Sequence, residues 1–202
     1  MTIVIVNGSD LLARDVKQRM IEGTAVLLAK KGLHRASFTE ILEASGAPRG
    51  SLYHHFPGGK DELVLAALGI AGQQAMAVLA KLSGRPATEV AETFIALWRL
   101  VLTKSNFEAG CAVAAVTVAA DSSELMGKAA KVFHDWRMHL TKLFAAGGID
   151  AERARSLAAN LVSACEGAVV LARAERSLEP FDLMALEQLA TIRGAMKRKK
   201  KR

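Results

Sequence analysis

Gly46-Ala47-Pro48-Arg49-Gly50-Ser51-Leu52-Tyr53-His54-His55-Phe56 decides how this 202-residue chain is read. Glycine takes positive φ without penalty, so Gly46 ends whatever helix precedes it. Pro48 then stands where an N1 proline belongs and restarts the chain as a helix over about 48–54. On that helix Leu52 and Phe56 share a side and can seat on a neighbour. Arg49, Gly50, Ser51, Tyr53 and His54 are left outward or at the N-terminal end. Just upstream, Ser37-Phe38-Thr39-Glu40 is a capping box, in which the serine oxygen and the glutamate each satisfy an end N–H. It opens a short helix over Phe38–Ser45. Two short helices joined by a tight glycine turn form a helix-turn-helix.

The residue types suit the major groove of DNA. A recognition helix needs base-contacting groups in its first turn and an apolar rear face. Arg49 can bond guanine bidentately, and Gly50 removes a side chain where backbone must approach the groove floor. Tyr53, His54 and His55 offer hydrogen bonds to phosphate oxygens, which position without specifying. Ser37 and Thr39 add hydroxyls and N–H groups for a second phosphate. Lys60, beyond the Pro57-Gly58-Gly59 bend, is placed for a third.

Charge agrees. Residues 1–60 carry 8 Lys/Arg against 5 Asp/Glu, a net +3, whereas 61–196 carry 13 against 15, a net −2. Lys197–Arg202 adds +6 as a basic tail expected to be disordered. A basic head on a near-neutral body calls for a polyanion partner.

Elsewhere the chain reads as helix throughout, apart from a β-branched run at Thr2–Val6. An all-α fold of about nine helices is expected. Met20, Ile21, Thr24, Leu27 and Leu28 mark one face of a first helix over 11–31. Longer segments follow at about 60–81, 87–104, 108–120, 122–146, 151–176 and 181–195. The division is a head over 1–60, a body over 61–196 and the tail over 197–202. No run of eighteen apolar residues occurs, so no membrane contact is expected. Two cysteines, Cys111 and Cys165, make no disulfide framework, and a reducing cytoplasm fits.

Ser37–Leu63 resembles the DNA-binding head of the TetR/AcrR family of one-component regulators. The residues that carry the likeness are Ile41, Gly46, Gly50, Leu52-Tyr53, His55-Phe56 and Lys60. Phe56-Pro57-Gly58-Gly59-Lys60 is similar to the joint of that family's LmrA/YxaF-like branch. The resemblance implies groove contact for Arg49, Gly50 and Ser51, and phosphate contact for Tyr53, His54, His55 and Lys60. It also implies a homodimer, a double-stranded operator, and a small-molecule effector held in the body.

For that effector the candidate walls are Trp98, Phe107, Met126, Phe133, Trp136 and Phe144, with His139 or Asn160 orienting it. A stripe of Leu157, Leu161, Ala164, Ala168 and Leu171 lets helices approach closely. By the resemblance it is assigned to the dimer interface. No cofactor and no metal are expected. Adjacent His54 and His55 point about 100° apart on a helix and cannot chelate together, and Asp135 with His139 lacks a second pair. A helical enzyme built on His134, Asp135, His139 and Glu166 would leave the basic head unexplained. An architectural DNA-binding protein without effector is the other rival.

Overall fold

In the computed structural model of the chain, residues 15–196 are described. Thr2–Val6 and the tail 197–202 lie outside them. Among the described residues there are nine α-helices and no strand. They are α1 (Val16–Lys31), α2 (Phe38–Ser45), α3 (Ser51–His55), α4 (Gly59–Leu79), α5 (Ala87–Lys104), α6 (Ala112–Thr117), α7 (Ser123–Ala146), α8 (Ala151–Glu175) and α9 (Glu179–Ala195). A short 3₁₀ turn, Ala80–Leu82, extends α4.

Boundaries move where local chemistry dictates. Asp15 is non-helical (φ −56°, ψ 144°), so α1 begins at Val16 and not at residue 11. Around Pro48 the chain first makes a tight turn, with the Ser51 N–H donating to the Pro48 carbonyl at 3.0 Å. The third helix therefore spans Ser51–His55 rather than 48–54. The sixth is shorter than expected, and the ninth starts at Glu179 because Pro180 is tolerated within its first turn.

Two compact units emerge, and they do not divide at residue 60. Among the described residues, one comprises 15–74 with 108–133, the other 75–107 with 134–196. In the first, α1 packs on α2 and α6, around Met20, Leu28, Ile41, Leu52, Phe56 and Leu63, all buried. The Gly110 N–H donates to the Ala29 carbonyl at 2.8 Å and Lys30 pairs with Glu108 at 3.0 Å. Those two contacts draw the segment before α6 into this unit, far from the head in sequence.

In the second unit α5, α8 and α9 pack on one another. Phe94, Leu102, Phe144, Phe181, Leu157 and Leu161 form its core. Gly147 is required here, because a Cβ would stand 2.5 Å from the Ala87 nitrogen. Arg99 pairs with Asp182 and lies over the Phe181 ring, tying α5 to α9.

By length and composition, Gly59–Leu82 and Ala151–Glu175 each hold an 18-residue window apolar enough to cross a bilayer, with mean hydropathies of 1.8 and 1.4 over those windows. That is a different measure from an unbroken run of eighteen apolar residues, which the chain does not contain. In α4, Gln73 and Gln74 interrupt the apolar run without lowering its mean much. Alanine-rich packing helices meet the same standard.

Candidate DNA-binding surface

The first unit builds the helix-turn-helix in three steps. Ser37 caps α2 with both halves of the capping box in place. Its hydroxyl accepts from the Glu40 N–H at 3.3 Å, and its own N–H donates to the Glu40 carboxylate at 3.4 Å. Lys31 also reaches Glu40, at 2.6 Å, and this bond holds the carboxyl below its ordinary value. Gly46 then closes α2 in the left-handed conformation (φ 60°), donating to the Leu42 and Glu43 carbonyls. The turn at Pro48 launches α3, and Leu52 and Phe56 anchor it, each 1% exposed. The Lys17 ammonium sits 5.4 Å from the centre of the Phe56 ring, a cation–π contact.

With its rear face fixed, the segment turns Arg49, Gly50, Tyr53 and His54 to solvent. Tyr53 is 66% exposed, and its ring stands 6.0 Å from that of Phe38, which braces the phenol on α2. His54 and His55 lie edge to face at 5.0 Å. Thr39 is exposed at the start of α2. Ser51 is half-buried, its hydroxyl donating to the Pro48 carbonyl at 2.6 Å, so only its oxygen lone pairs are left to a ligand.

Gly50 is informative by what surrounds it. Its φ is −69°, ordinary for any residue, and a Cβ there would meet nothing within 4 Å. The fold does not need a glycine at this position.

Lys60 also has a structural partner within the protein. Its ammonium donates to the Leu33 carbonyl at 2.8 Å, fastening the start of α4 to the loop after α1. Two of its three N–H donors stay available, so a phosphate contact would be shared with this structural one.

Sequence reading missed Arg19. One turn after it, Gly23 brings α1 against α2, where a Cβ would lie 3.7 Å from Ser45. Arg19 therefore lies beside the glycine turn, its Nη1 4.0 Å from the place of a Gly46 Cβ. Its Nε is buried without a hydrogen-bond partner. Nothing in the periodicity of α1 distinguishes this arginine from a solvated one. Only the crossing of α1 over α2 does.

The body candidates scatter. Trp98 and Trp136 pack edge to face at 6.2 Å, both buried, and Phe144 is fully enclosed. These three belong to the core of the second unit. Phe107 is half-buried in the same unit, held at φ 63°. Phe133 is half-buried and Met126 38% exposed in the other unit. Asn160 is exposed on α8, where it orients nothing inside the protein. His139 fits its assignment better. It lines a groove of about 450 Å³ with Met76, Asp135 and Lys142, and its Nε2 has no partner. Burial, then Lys142, holds its imidazole below the ordinary 6.5.

The stripe on α8 is mostly internal. Leu157, Leu161 and Ala168 are buried within the protomer, because the period that aligns them also faces α5 and α9. Of the five, Leu171 is exposed and Ala164 half-buried. The large apolar side chains that stay open on these helices are instead Val170 and Leu171 on α8 and Leu183 and Leu186 on α9, each more than half exposed. Cys111 and Cys165 are both buried thiols, and burial, with Glu166, pushes the Cys165 thiol up. Among the described residues no three His, Cys, Asp or Glu side chains gather as a metal site.

Comparison with known proteins agrees with this geometry. Residues 20–67 match the family model for bacterial regulatory proteins of the tetR family, and residues 87–187 match the transcriptional regulator LmrA/YxaF-like C-terminal domain. The HTH-type transcriptional regulator Rv0196 of Mycobacterium tuberculosis is 37% identical over 175 residues, which is 83% of this chain and 89% of that one. YxaF of Bacillus subtilis is 26% identical, covering 88% of this chain and 95% of its own. A TetR transcriptional regulator from Legionella pneumophila shares the fold at a TM-score of 0.78 and 23% identity, covering 91% of this chain and 98% of that one.

Proposed function

Because the chain belongs to the TetR family of bacterial transcriptional regulators, with an LmrA/YxaF-like C-terminal domain, we propose that it is a repressor released by a small effector. On this reading it binds a palindromic operator as a homodimer in the cytoplasm. The observation that carries the DNA contact is the exposed Arg49-Gly50 step in the turn that opens α3, a helix anchored on its rear side by the buried Leu52 and Phe56. Arg49 reads a guanine, while Gly50 lets the backbone descend to the base edges. Thr39, Ser37, Tyr53, His54 and His55 hold phosphates on either side, and Arg19 holds another beside the Gly46 turn.

Two-fold symmetry matches two heads to two half-sites. The surface for it is the open apolar face of α8 and α9, since exposed leucines and valines on adjacent helices mark an association site. The effector class, small and apolar or aromatic, is carried over from the family resemblance, because the body's aromatics lie mostly in its core or apart from one another. Its binding would favour a head arrangement that cannot grip DNA.

Selection of bound sequences from random DNA tests the reading, repeated with small-molecule libraries. An enriched inverted repeat that a compound abolishes is the expected outcome. Binding without enrichment, unaffected by any compound, would instead make the protein an architectural DNA binder.

A further inference from the structure

A second feature of the body belongs neither to the DNA surface nor to the open face of α8 and α9. Between α7 and α8 runs a groove of about 380 Å³. One wall is His134, Arg137, Met138 and Thr141, and the other is Glu152, Arg155, Ser156 and Ala159. Each set follows the i, i+3, i+4, i+7 spacing of a single helical face, so two complete faces oppose each other.

The chemistry of the two walls is unbalanced. Arg137 and Arg155 are exposed, and neither guanidinium makes a hydrogen bond or ion pair with any described residue. Glu152 stands in the same groove without pairing to either. Elsewhere on this chain arginines next to acids do pair, as Arg85 with Glu89 and Arg99 with Asp182. The hydroxyls are already engaged, Thr141 donating to the Arg137 carbonyl at 2.7 Å and Ser156 to that of Glu152 at 3.4 Å. The free donors of the groove are thus two guanidiniums, with the His134 imidazole beside them. Its apolar surface is Met138 and Ala159. All this sits in a body whose net charge is −2.

We propose that this groove binds a small organic anion, its carboxylate or phosphate held by Arg137 and Arg155 and its apolar part resting on Met138 and Ala159. Guanidinium is the side chain suited to such a ligand, because its planar fork bonds two oxygens at once. The volume lies within the range of small-molecule sites. The proposal is independent of DNA binding, and its test involves no DNA.

Isothermal titration of the full chain with benzoate and with inorganic phosphate, against chloride at matched ionic strength, decides it. Saturable binding of one or both, at one site per protomer, is expected. Benzoate alone would assign an organic carboxylate, phosphate alone a phosphorylated compound. Arg155→Ala and Arg137→Ala should each lower the affinity about tenfold or more. Glu152→Gln, which removes the one repelling charge, should raise it, and a misfolded protein cannot produce that gain. No heat beyond the chloride control overturns the proposal, as does affinity unchanged by Arg155→Ala.

Discussion

At Gly50 stability and binding are expected to pull apart. Its backbone suits alanine and a Cβ meets nothing, so Gly50→Ala should stabilise the chain by about 0.4–1 kcal/mol through the unfolded state. If the position faces a groove floor, the same methyl should weaken operator binding about tenfold, ~1.4 kcal/mol. Urea unfolding and fluorescence anisotropy measure the two. Unchanged DNA affinity would remove Gly50 from the interface. Arg49 and Arg19 separate by kind of contact. Arg49→Ala should lose discrimination between operator and scrambled DNA, by about 1–3 kcal/mol. Arg19→Gln should weaken both DNAs alike and make the slope of log K against log salt shallower by about one, while Arg19→Lys keeps the slope. A drop in stability with the slope intact would make Arg19 a cation for the C-terminus of α2 and nothing more. His139 adds a pH dependence. Burial and Lys142 lower its folded-state value, so the unfolded chain takes up that proton more readily. Stability should fall as pH drops below the ordinary 6.5 and level off once the folded-state value is passed. His139→Gln should flatten this between about pH 7.5 and 5.5, as read from urea midpoints.

Elements were legible where one local signal dominates. The capping box, the Gly46 turn and the Leu52/Phe56 face each involve residues close in sequence, and each forms as read. What period cannot settle is which neighbour covers a face. On α8 the stripe Leu157–Leu161–Ala168 has the spacing of an interface and is used up by the protomer's own helices. The aromatics of the body share that ambiguity, since a core wall and a cavity wall need the same residues. Arg19 was invisible because its significance depends on the crossing of two helices at Gly23. The reassigned face of α8 and α9 makes its own prediction. Val170, Leu171, Leu183 and Leu186 are all more than half exposed. Burying a new, unpaired carboxylate among them is costly, so Leu186→Glu should yield a monomer in sedimentation at micromolar concentration. Leu157→Ala should instead cost about 2–5 kcal/mol of stability without splitting the dimer, since it opens a cavity in the protomer. A Leu186→Glu protein that still sediments as a dimer would move the interface elsewhere.

For the whole molecule, the consequence of pairing is avidity. On the proposed function, a single head offers one short recognition segment, with Arg49 as its proposed base-reading side chain and a handful of proposed phosphate contacts. The net charge of residues 1–60 is only +3, so the electrostatic pull of one head is modest and readily screened. Two heads joined through the proposed α8 and α9 face would convert the second half-site into an intramolecular partner, multiplying affinity by about 10²–10⁴ without any new contact. Full-length Leu186→Glu tests this directly, because its DNA-contacting residues are untouched. On a duplex carrying one half-site it should match the wild-type protein. On the full palindrome it should lose most of that multiplication, and its binding curve should no longer depend on the spacing between half-sites. An equal loss on both duplexes would mean that the substitution damages the head. Retained affinity on the palindrome by a protein shown to be monomeric would mean that one head suffices, and the symmetric operator would then have no physical basis in this chain.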